Sequence, residues 1–353
     1  MIEVKRFKKF NSELENIWKS LEENSKISFF QTYQWNKLWV KRILNNKIDL
    51  SILVIIYENK VTDILPLYLE KKHFLSKLVF LGGLNTDYKN IISTNKSYFK
   101  IKNFTQNDFI KFLTKHVPRF DYILFENMLS NNKDNLNVLS IFLNLNKKNI
   151  NLRVNTKKFT YENYINRQIN KKFLNDIYRQ IRRLKKLGKL KFLVISNQSE
   201  KKEYTDLMIK LKSIQYKKSG GGLFKIRGYE KMYRDILDNK ELLNCLHLSA
   251  LLVGNNVIAV HYGFLFKNIL YYVMPVYNRN WFQYSPGNVL LHYLIKESFN
   301  QNFDYLDFTE GNNNYKKIWA NQSYNIYEFF YPKSIIYKFY LFFFKLIKNL
   351  YGK

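Results

Sequence analysis

Cysteine, proline and glycine are all scarce in this sequence. The single cysteine, Cys245, excludes an internal disulfide and any zinc cluster built on several cysteines. Because disulfides persist mainly in oxidising compartments, one lone thiol favours a reducing one. Five prolines and twelve glycines in 353 residues leave no Gly/Ser-rich linker and no collagen-like repeat. Aromatic residues make up 17% of the chain, far more than disordered proteins carry, so the composition indicates a globular protein.

Long apolar runs are absent as well. The nearest candidate is the aromatic segment 339–344, which ends at Lys345 and is much shorter than the roughly 20 residues that a membrane span needs. Residues 1–11 alternate charged and apolar side chains and lack the continuous apolar core of a signal peptide. The sequence therefore predicts a cytoplasmic protein that could still touch the inner face of the membrane.

Acidic residues are few. The chain has 28 Asp and Glu against 58 Lys and Arg, which gives a formal net charge of +30. Only 11 of the basic residues are arginine, although phosphate and base recognition favours the planar guanidinium. Lysine is abundant together with Asn, Ile, Tyr and Phe, as expected of an AT-rich genome. The charge alone therefore leaves two explanations open, compositional drift or attraction to CoA phosphates, lipid headgroups or RNA.

The length and the 46% hydrophobic content predict two domains, since one core rarely grows beyond about 250–300 residues. Helix and strand patterns alternate in both halves, so the expected fold class is mixed α/β, with a central mixed sheet flanked by helices in each domain. We predict a first domain at 1–150, a second domain at 151–331 and a basic aromatic C-terminal helix at 332–353.

The hydrophobic periodicity also places individual elements. In the first domain it predicts helices and strands at 12–23, 33–43, 50–57, 63–69, 77–81, 107–116 and 121–125. In the second domain it predicts them at 171–187, 191–196, 247–253, 257–266, 269–276, 287–299, 305–308 and 325–331. Ser12 is the expected cap of the first helix, and Gly188 is expected to end the helix at 171–187 in a left-handed conformation.

The predicted helix at 287–299 begins in a way that suits a phosphate ligand. It follows three predicted antiparallel strands and a loop, and its first residues read Ser285-Pro-Gly-Asn288. Ser285 is a candidate cap, Pro286 fits a first turn, and Gly287 allows a ligand to come close to the backbone. Free N–H groups and the helix dipole attract anions at such a start. Ser285, Gly287 and Asn288 are therefore predicted to bind the pyrophosphate of a nucleotide-type donor.

Three segments together resemble a known family. Residues 284–293, 303–311 and 315–319 are similar to motifs of the CelD/BcsL family of cellulose-biosynthesis-type acetyltransferases. That family is related to the GNAT superfamily and to the FemAB aminoacyltransferases. Fainter likenesses follow in the family's order over about 300 residues, at 30–39, 65–69, 80–88 and 182–188.

The resemblance implies a tandem GNAT-like fold. It also implies an acyl-CoA donor, acetyl-CoA among others, and an amine or hydroxyl acceptor on a sugar, a glycan or a cell-envelope precursor. No metal is expected, because five dispersed histidines and one cysteine lack metal-ligand spacing. Two alternatives stay open: a FemAB-like enzyme that uses aminoacyl-tRNA, which is the one case in which nucleic acid is an expected partner, or a non-catalytic module that binds RNA or membranes.

Four residues are candidates for the chemistry. Asp307 and Glu310 lie at the end of a predicted strand, where a carboxylate raised in pKa could act as general base. Both could equally cap a turn or pair with Lys316. Lys316 could neutralise a phosphate or stabilise an oxyanion, and His261 is a second candidate base, although a lone histidine on a strand is often simply packed.

Four further residues are predicted to bind substrate. Gly311 and Tyr315 belong to the motif, while Arg182 and Arg183 lie on the basic face of the helix at 171–187. That face could also be merely solvated. One departure from the family concerns Asn312–Asn314, which stand where the family carries acidic residues, so activity could be altered or lost.

The segment 332–353 combines lysines with aromatic and aliphatic residues and has no acidic residue. As a helix it would have the pattern of an interfacial membrane anchor, and the predicted partner is an anionic bilayer surface. The alternative is a C-terminal helix packed on the core.

Overall fold

The fold is described from a computed structural model, which covers residues 2–44, 49–72, 74–218, 221–335 and 337. The chain divides into two compact units. The first comprises residues 1–149 and 325–353, and the second comprises residues 150–324. Residues 325–331, which the sequence analysis assigned to the second domain, belong to the first unit.

The described residues form thirteen strands. They are β1 (Ile2–Phe7), β2 (Asp49–Tyr57), β3 (Lys60–Lys72), β4 (Leu75–Phe80), β5 (Ile92–Ser93), β6 (Tyr122–Leu129), β7 (Asn146–Asn155), β8 (Leu190–Ile195), β9 (Leu246–Val253), β10 (Asn256–Phe266), β11 (Ile269–Tyr277), β12 (Tyr305–Glu310) and β13 (Gln322–Pro332).

The same residues form eleven α-helices. They are α1 (Ser12–Asn24), α2 (Tyr33–Trp39), α3 (Tyr98–Ile101), α4 (Gln106–His116), α5 (Tyr161–Gln168), α6 (Lys171–Leu187), α7 (Gln198–Lys218), α8 (Tyr229–Asp235), α9 (Lys240–Cys245), α10 (Pro286–Asn300) and α11 (Asn314–Trp319).

The first unit is built on a mixed sheet. Its strands follow the order β1-β2-β3-β4-β6-β13, with β4 and β6 parallel and the other neighbours antiparallel. Inward-facing residues of β2, β3, β4 and β6 pack against α4 in one apolar core, which includes Leu67, Phe80, Phe109 and Phe125. This arrangement follows from alternation along the strands and helical spacing along α4.

Residues 325–331 join the first unit because their strand pairs with β6. Ile326 is opposite Leu129, and Phe330 is opposite Leu124. The sequence assigned this strand to the second domain, because sequence order gives no information about a partner two hundred residues away. Of the predicted C-terminal segment 332–353, residues 336 and 338–353 lie outside the described residues.

The second unit has its own mixed sheet, in the order β7-β12-β11-β10-β9-β8. Only β11 and β12 run parallel, and the connection between them is α10. Helices α6 and α10 cover one face of this sheet with a shared apolar core. On β10, Tyr262 packs against Tyr233 of α8. The mixed α/β fold class predicted from the sequence, with a helix-flanked sheet in each half, is confirmed.

Most predicted elements agree with the structure to within a few residues, α6 at both ends. Two cap predictions were wrong. The side chain of Asn11, rather than Ser12, accepts the N–H of Leu14 at the start of α1. Gly188 has φ 155° and ψ 177°, outside the left-handed helical region. The sequence missed strands β1, β5 and β7 and helices α3, α5, α7, α8 and α9.

Candidate functional site

A cleft opens in the second unit where two parallel strands part. Strands β11 and β12 pair only at Ile269–Tyr271 and Tyr305–Asp307. Beyond these pairs β11 continues to Tyr277 and β12 to Glu310, without further pairing between them. Ligands bind to open α/β sheets at the carboxyl ends of parallel strands, so this opening is the expected place for a site.

An irregular stretch of β12 accompanies the separation. The register of β12 against β7 shifts between Asp307 and Glu310. Within this stretch Thr309 has φ 59°, a conformation that is unfavourable for a β-branched residue. Its N–H donates to Oδ1 of Asp307 at 2.7 Å, which holds the turn in place.

Asp307 is fully buried and its carboxylate is occupied on both oxygens. Oδ1 also accepts from the amide of Asn151 at 2.8 Å, and Oδ2 accepts from Nε of Arg153 at 2.8 Å. These contacts give Asp307 a role in shaping the end of β12. They leave no oxygen directed at the cleft, which argues against the predicted role as general base.

The cleft contains a cavity of about 470 Å³ in the second unit. It is bounded by α7, by the end of β11, by the start of α10 and by the turn that leads into α11. The lining residues are Lys212, Gln215, Tyr272, Pro275, Val276, Tyr277, Phe282, Ser285, Pro286, Gly287, Asn288, Leu290, Asn313 and Tyr315. Four of the predicted site residues are thus brought together: Ser285, Gly287, Asn288 and Tyr315.

The start of α10 faces this cavity through its backbone. Ser285 is left-handed, with φ 49° and ψ 48°, and its carbonyl accepts the N–H groups of Asn288 at 3.0 Å and Val289 at 3.1 Å. Ser285 is the N-cap residue of α10, as expected, but its hydroxyl makes no capping hydrogen bond. Pro286 is in the first turn as predicted. A Cβ on Gly287 would meet only a ring carbon of Tyr277, at 3.5 Å, so the backbone there is open to the cavity.

Arg183 lies next to the turn that leads into α10. Its guanidinium donates to the carbonyl of Gln283 at 3.2 Å and stands 4.8 Å from the centre of the Tyr284 ring. A positive charge is therefore held one turn before the helix start. Arg182 is exposed on α6 and does not line the cavity.

Lys316 closes the turn after β12 instead of lining the cavity. Its side chain is buried, and Nζ donates to the carbonyl of Glu310 at 2.7 Å. Gly311 has φ 124°, and a Cβ there would approach Nζ to 3.2 Å. This positive φ explains why glycine occupies position 311. Glu310 ends β12 with its side chain partly exposed, close in sequence to the cavity residue Asn313.

His261 is buried behind the cavity wall. Its ring stacks on that of Tyr272, which does line the cavity, with 4.7 Å between the centres and 13° between the planes. Burial lowers the pKa of this imidazole well below its usual range, so the ring is neutral. His261 does not reach the cavity itself. His292 packs within the core, and burial lowers its pKa to about 4.

Two polar residues of α7 line the cavity and were not predicted from the sequence. Burial lowers the pKa of the Lys212 ammonium to about 8 and raises the pKa of the nearby lining residue Tyr315 to about 12. Gln215 lies one turn further along α7. The apolar residues of α7 show almost no helical periodicity, because the helix contacts other elements on several sides, and this weak signal concealed both residues.

No three His, Cys, Asp or Glu side chains within the described ranges are grouped so that they could hold a metal ion. In the same part of the chain, no helix combines the length and the apolar character required to cross a bilayer.

Comparison with known proteins agrees with the geometry of the second unit. Residues 171–317 match the family model described as "Acetyltransferase (GNAT) domain". The match begins with α6 and ends within α11, so it includes every residue that lines the cavity. A search of curated proteins gave no match.

Solved structures resemble the chain over nearly its whole length. FemX is 9% identical with a TM-score of 0.58, covering 99% of this chain and 100% of FemX. The C-terminal domain (DUF2156) of a putative lysylphosphatidylglycerol synthetase from Agrobacterium fabrum is 10% identical with a TM-score of 0.56, covering 91% and 92%. L-PGS from Bacillus licheniformis is 12% identical with a TM-score of 0.52, covering 96% of each chain. At such identities the likeness concerns the fold.

The family match and the position of the cavity support the same conclusion. The prediction of a transferase is confirmed, and the acyltransferase class follows from the matched domain. Residues 171–317 form a GNAT acetyltransferase-like domain whose parallel strands part around the cavity at the start of α10.

Proposed function

We propose that this chain transfers an acyl group, such as acetyl, from acyl-CoA to an amine or hydroxyl of a sugar, a glycan or a cell-envelope precursor. The observation that carries the proposal is the cavity beside the end of β11, which lies inside the matched acetyltransferase domain and exposes the backbone of the first turn of α10.

The donor's pyrophosphate binds at the start of α10 in this proposal. Ser285, Gly287 and Asn288 line the cavity. Pro286 has no N–H, and the N–H groups of Ser285 and Asn288 donate to backbone carbonyls, so the N–H of Gly287 and the helix dipole are what favour a diphosphate here. Gly287 leaves room for the phosphates to reach the backbone. The guanidinium of Arg183, one turn earlier, adds a favourable field at this end of the cavity.

The acceptor attacks the thioester carbonyl directly. A carbon–nitrogen or carbon–oxygen bond forms, the carbon–sulfur bond breaks, and the acceptor loses one proton. The chain positions both reactants and excludes water. Because its pKa is about 12, Tyr315 keeps its proton and can donate a hydrogen bond to a developing negative charge. Glu310 remains the candidate base because its side chain is partly exposed, whereas Asp307 and His261 are fully buried; like them, it is not among the residues that line the cavity.

Aminoacyl transfer is the second candidate. It is supported by the likeness of both units, over more than nine tenths of each chain, to FemX and to a domain of a putative lysylphosphatidylglycerol synthetase. The latter's name denotes a lipid that carries a lysyl group. In this alternative the donor is an aminoacyl-tRNA, for which the net charge of +30 would be favourable.

Calorimetric titration of the purified chain with CoA, acetyl-CoA and tRNA separates the two donors. We expect CoA and acetyl-CoA to bind and tRNA to show only weak, salt-sensitive binding. Tight tRNA binding without any binding of CoA would reject acyl-CoA as the donor.

Variants of Gly287 locate the site. Gly287→Trp should abolish CoA binding, since its indole must enter the cavity, whereas Gly287→Ala should retain binding because its Cβ makes only an ordinary contact. Gly221→Trp is the matched control, because a Cβ at Gly221 meets nothing within 4 Å. Unchanged CoA affinity in a folded Gly287→Trp protein would show that the donor binds elsewhere.

A further inference from the structure

Among the described residues that line the cavity, Lys212 is the only charged one. The other thirteen lining residues are polar or apolar, and none is Asp or Glu. Within the described ranges, no carboxylate lies at ion-pair distance from its ammonium group, although ion pairs are found for several other lysines. Lys212 thus brings one positive charge into the cavity without a counter-charge from the protein.

The ammonium of Lys212 is held in place by the protein, but not all of its hydrogen-bond donors are used. Nζ donates to the carbonyl of Pro275 on β11 at 3.1 Å and stands 5.3 Å from the centre of the Tyr216 ring. An ammonium has three donors, so two remain for other acceptors. An unpaired, partly desolvated charge is costly, because burial favours the neutral form. Consistent with this cost, burial lowers the pKa of Lys212 to about 8.

Gln215 contributes a second polar group that the protein leaves unsatisfied. It lies three residues after Lys212, on the same side of α7, and lines the same cavity. Its side-chain oxygen is buried and has no hydrogen-bond partner. Buried polar atoms are normally satisfied, so an acceptor without a partner beside an uncompensated cation indicates a place that a ligand completes.

We propose that Lys212 and Gln215 form a recognition site for an anionic oxygen group of a substrate, a carboxylate or a phosphate with an N–H or O–H donor beside it. The inference rests on the proposed function in so far as the cavity is the acyl-transfer site. The inference adds to the proposed function that at least one substrate carries an anionic group where that substrate contacts α7. The anion has two sources, the phosphates of the donor or an acidic group on the acyl chain or acceptor.

The test observes Lys212 directly by NMR in the full chain labelled with 13C-lysine, with Lys212→Met to assign the signal. The pKa of Lys212 is measured with sodium phosphate, with sodium acetate and with CoA. We expect at least one of them to raise it by roughly one unit, because a nearby opposite charge favours the charged form. Lys210, exposed on the same helix, should not change.

The separate titrations distinguish the two sources of the anion. A shift with CoA alone identifies a donor phosphate, and a further shift when acetate or phosphate is added to the CoA complex identifies an acidic acyl chain or acceptor. If no anion moves the Lys212 signal, with or without CoA, the inference is wrong. If CoA still binds although no anion shifts the Lys212 signal, the proposed function stands and only this inference fails. If free anions shift the signal but CoA does not bind, the inference stands and only CoA is rejected as the donor.

A matched pair of variants excludes a purely structural role. Lys212→Met removes a partly buried, unpaired charge, so its unfolding midpoint without anion should equal or exceed that of the parent. The anion response compared among the variants is the rise in unfolding midpoint when phosphate, acetate or CoA is added, and it should be lost in Lys212→Met. Lys210→Met should keep that response. A large loss of stability in Lys212→Met, with the anion response of Gln215→Leu unchanged, would show that these residues serve packing instead.

Discussion

Asp307 and Arg153 form a buried ion pair in which Nε donates to Oδ2 at 2.8 Å, with side-chain exposures of 0% and 2%. The guanidinium also stands 5.2 Å from the ring of Tyr305 and 5.1 Å from that of Tyr324. The pair joins neighbouring strands, β7 and β12, at the position where β12 leaves β11. It therefore links the stability of the second unit to the shape of the cleft.

Asp307→Asn should destabilise the protein by roughly 3–5 kcal/mol, because it leaves the Arg153 charge buried without its partner. Urea unfolding followed by circular dichroism measures the change. Asp176→Asn is the control, since Asp176 pairs with Arg179 on the exposed face of α6 at 3.0 Å, and a surface pair is worth at most about 1 kcal/mol. Equal stability of the two variants would contradict the structural role of Asp307.

Glu310→Gln tests the remaining candidate base. The substitution keeps the backbone carbonyl that accepts from Lys316 and removes only the negative charge. If Glu310 takes the acceptor's proton, kcat for acetyl transfer should fall by roughly 10²–10⁴ while calorimetric affinity for CoA stays near that of the parent. The assay follows thiol release with an amino-sugar panel. A full rate in this variant would show that Glu310 is not the base, which leaves Lys212 as the base or direct attack without a protein base.

Three buried histidines predict that stability falls in mild acid. Burial lowers the pKa of His247 and His292 to about 4 and that of His261 well below its usual value. The unfolded chain, whose histidines titrate near 6.5, then binds more protons than the folded chain. Stability is therefore complete at neutral pH and is lost as the pH falls from about 6.5 towards 4.

The size of this effect is measurable. At pH 5, each of His247 and His292 should lower the free energy of unfolding by about 2 kcal/mol relative to neutral pH, because its imidazole binds a proton more readily in the unfolded chain. His292→Phe should remove one such contribution, so the gap between the unfolding free energies at pH 7.5 and pH 5 should narrow. His116→Phe, at a half-buried site, should reduce the difference between the unfolding free energies at pH 7.5 and pH 5 by a smaller amount. The same pH dependence in all three proteins would show that other groups govern acid stability.

We expect the C-terminal lysines to attach the protein to anionic bilayers. The ring of Tyr337 stacks on that of Tyr122, with 4.0 Å between the centres, so truncation after Tyr337 leaves the described packing intact. Removing 338–353 deletes four lysines, each worth about 1 kcal/mol at an anionic surface. The full chain should sediment with phosphatidylglycerol vesicles, less so as salt rises, and chain 1–337 should remain in the supernatant.

Phosphatidylcholine vesicles are the control for that experiment. Binding of the full chain should weaken on them, because the electrostatic attraction is absent. Equal sedimentation of both chains with anionic vesicles would exclude the segment as an anchor. Precipitation of chain 1–337 would show that the segment packs on the protein.

The local elements of the site could be predicted because their signals are local. The apolar residues of α6 recur at helical spacing, the three strands β9 to β11 are separated by short turns, and the residues Ser285-Pro-Gly-Asn288 mark the start of α10. These features placed Ser285, Gly287 and Asn288 at a helix start, where the structure has them. Nothing in the pattern of α7 identified Lys212, one lysine among 47.

The sequence by itself determined the fold class, the order of most elements and the family resemblance, since each of these depends on periodicity and spacing along the chain. The tertiary structure decided which side chains meet. Arg153 lies 154 residues before Asp307, and only the pairing of β7 with β12 turns a candidate base into half of a buried ion pair. In the same way, only packing brings Lys212 to the start of α10, because burial and charge pairing depend on distance in space and not on distance in sequence.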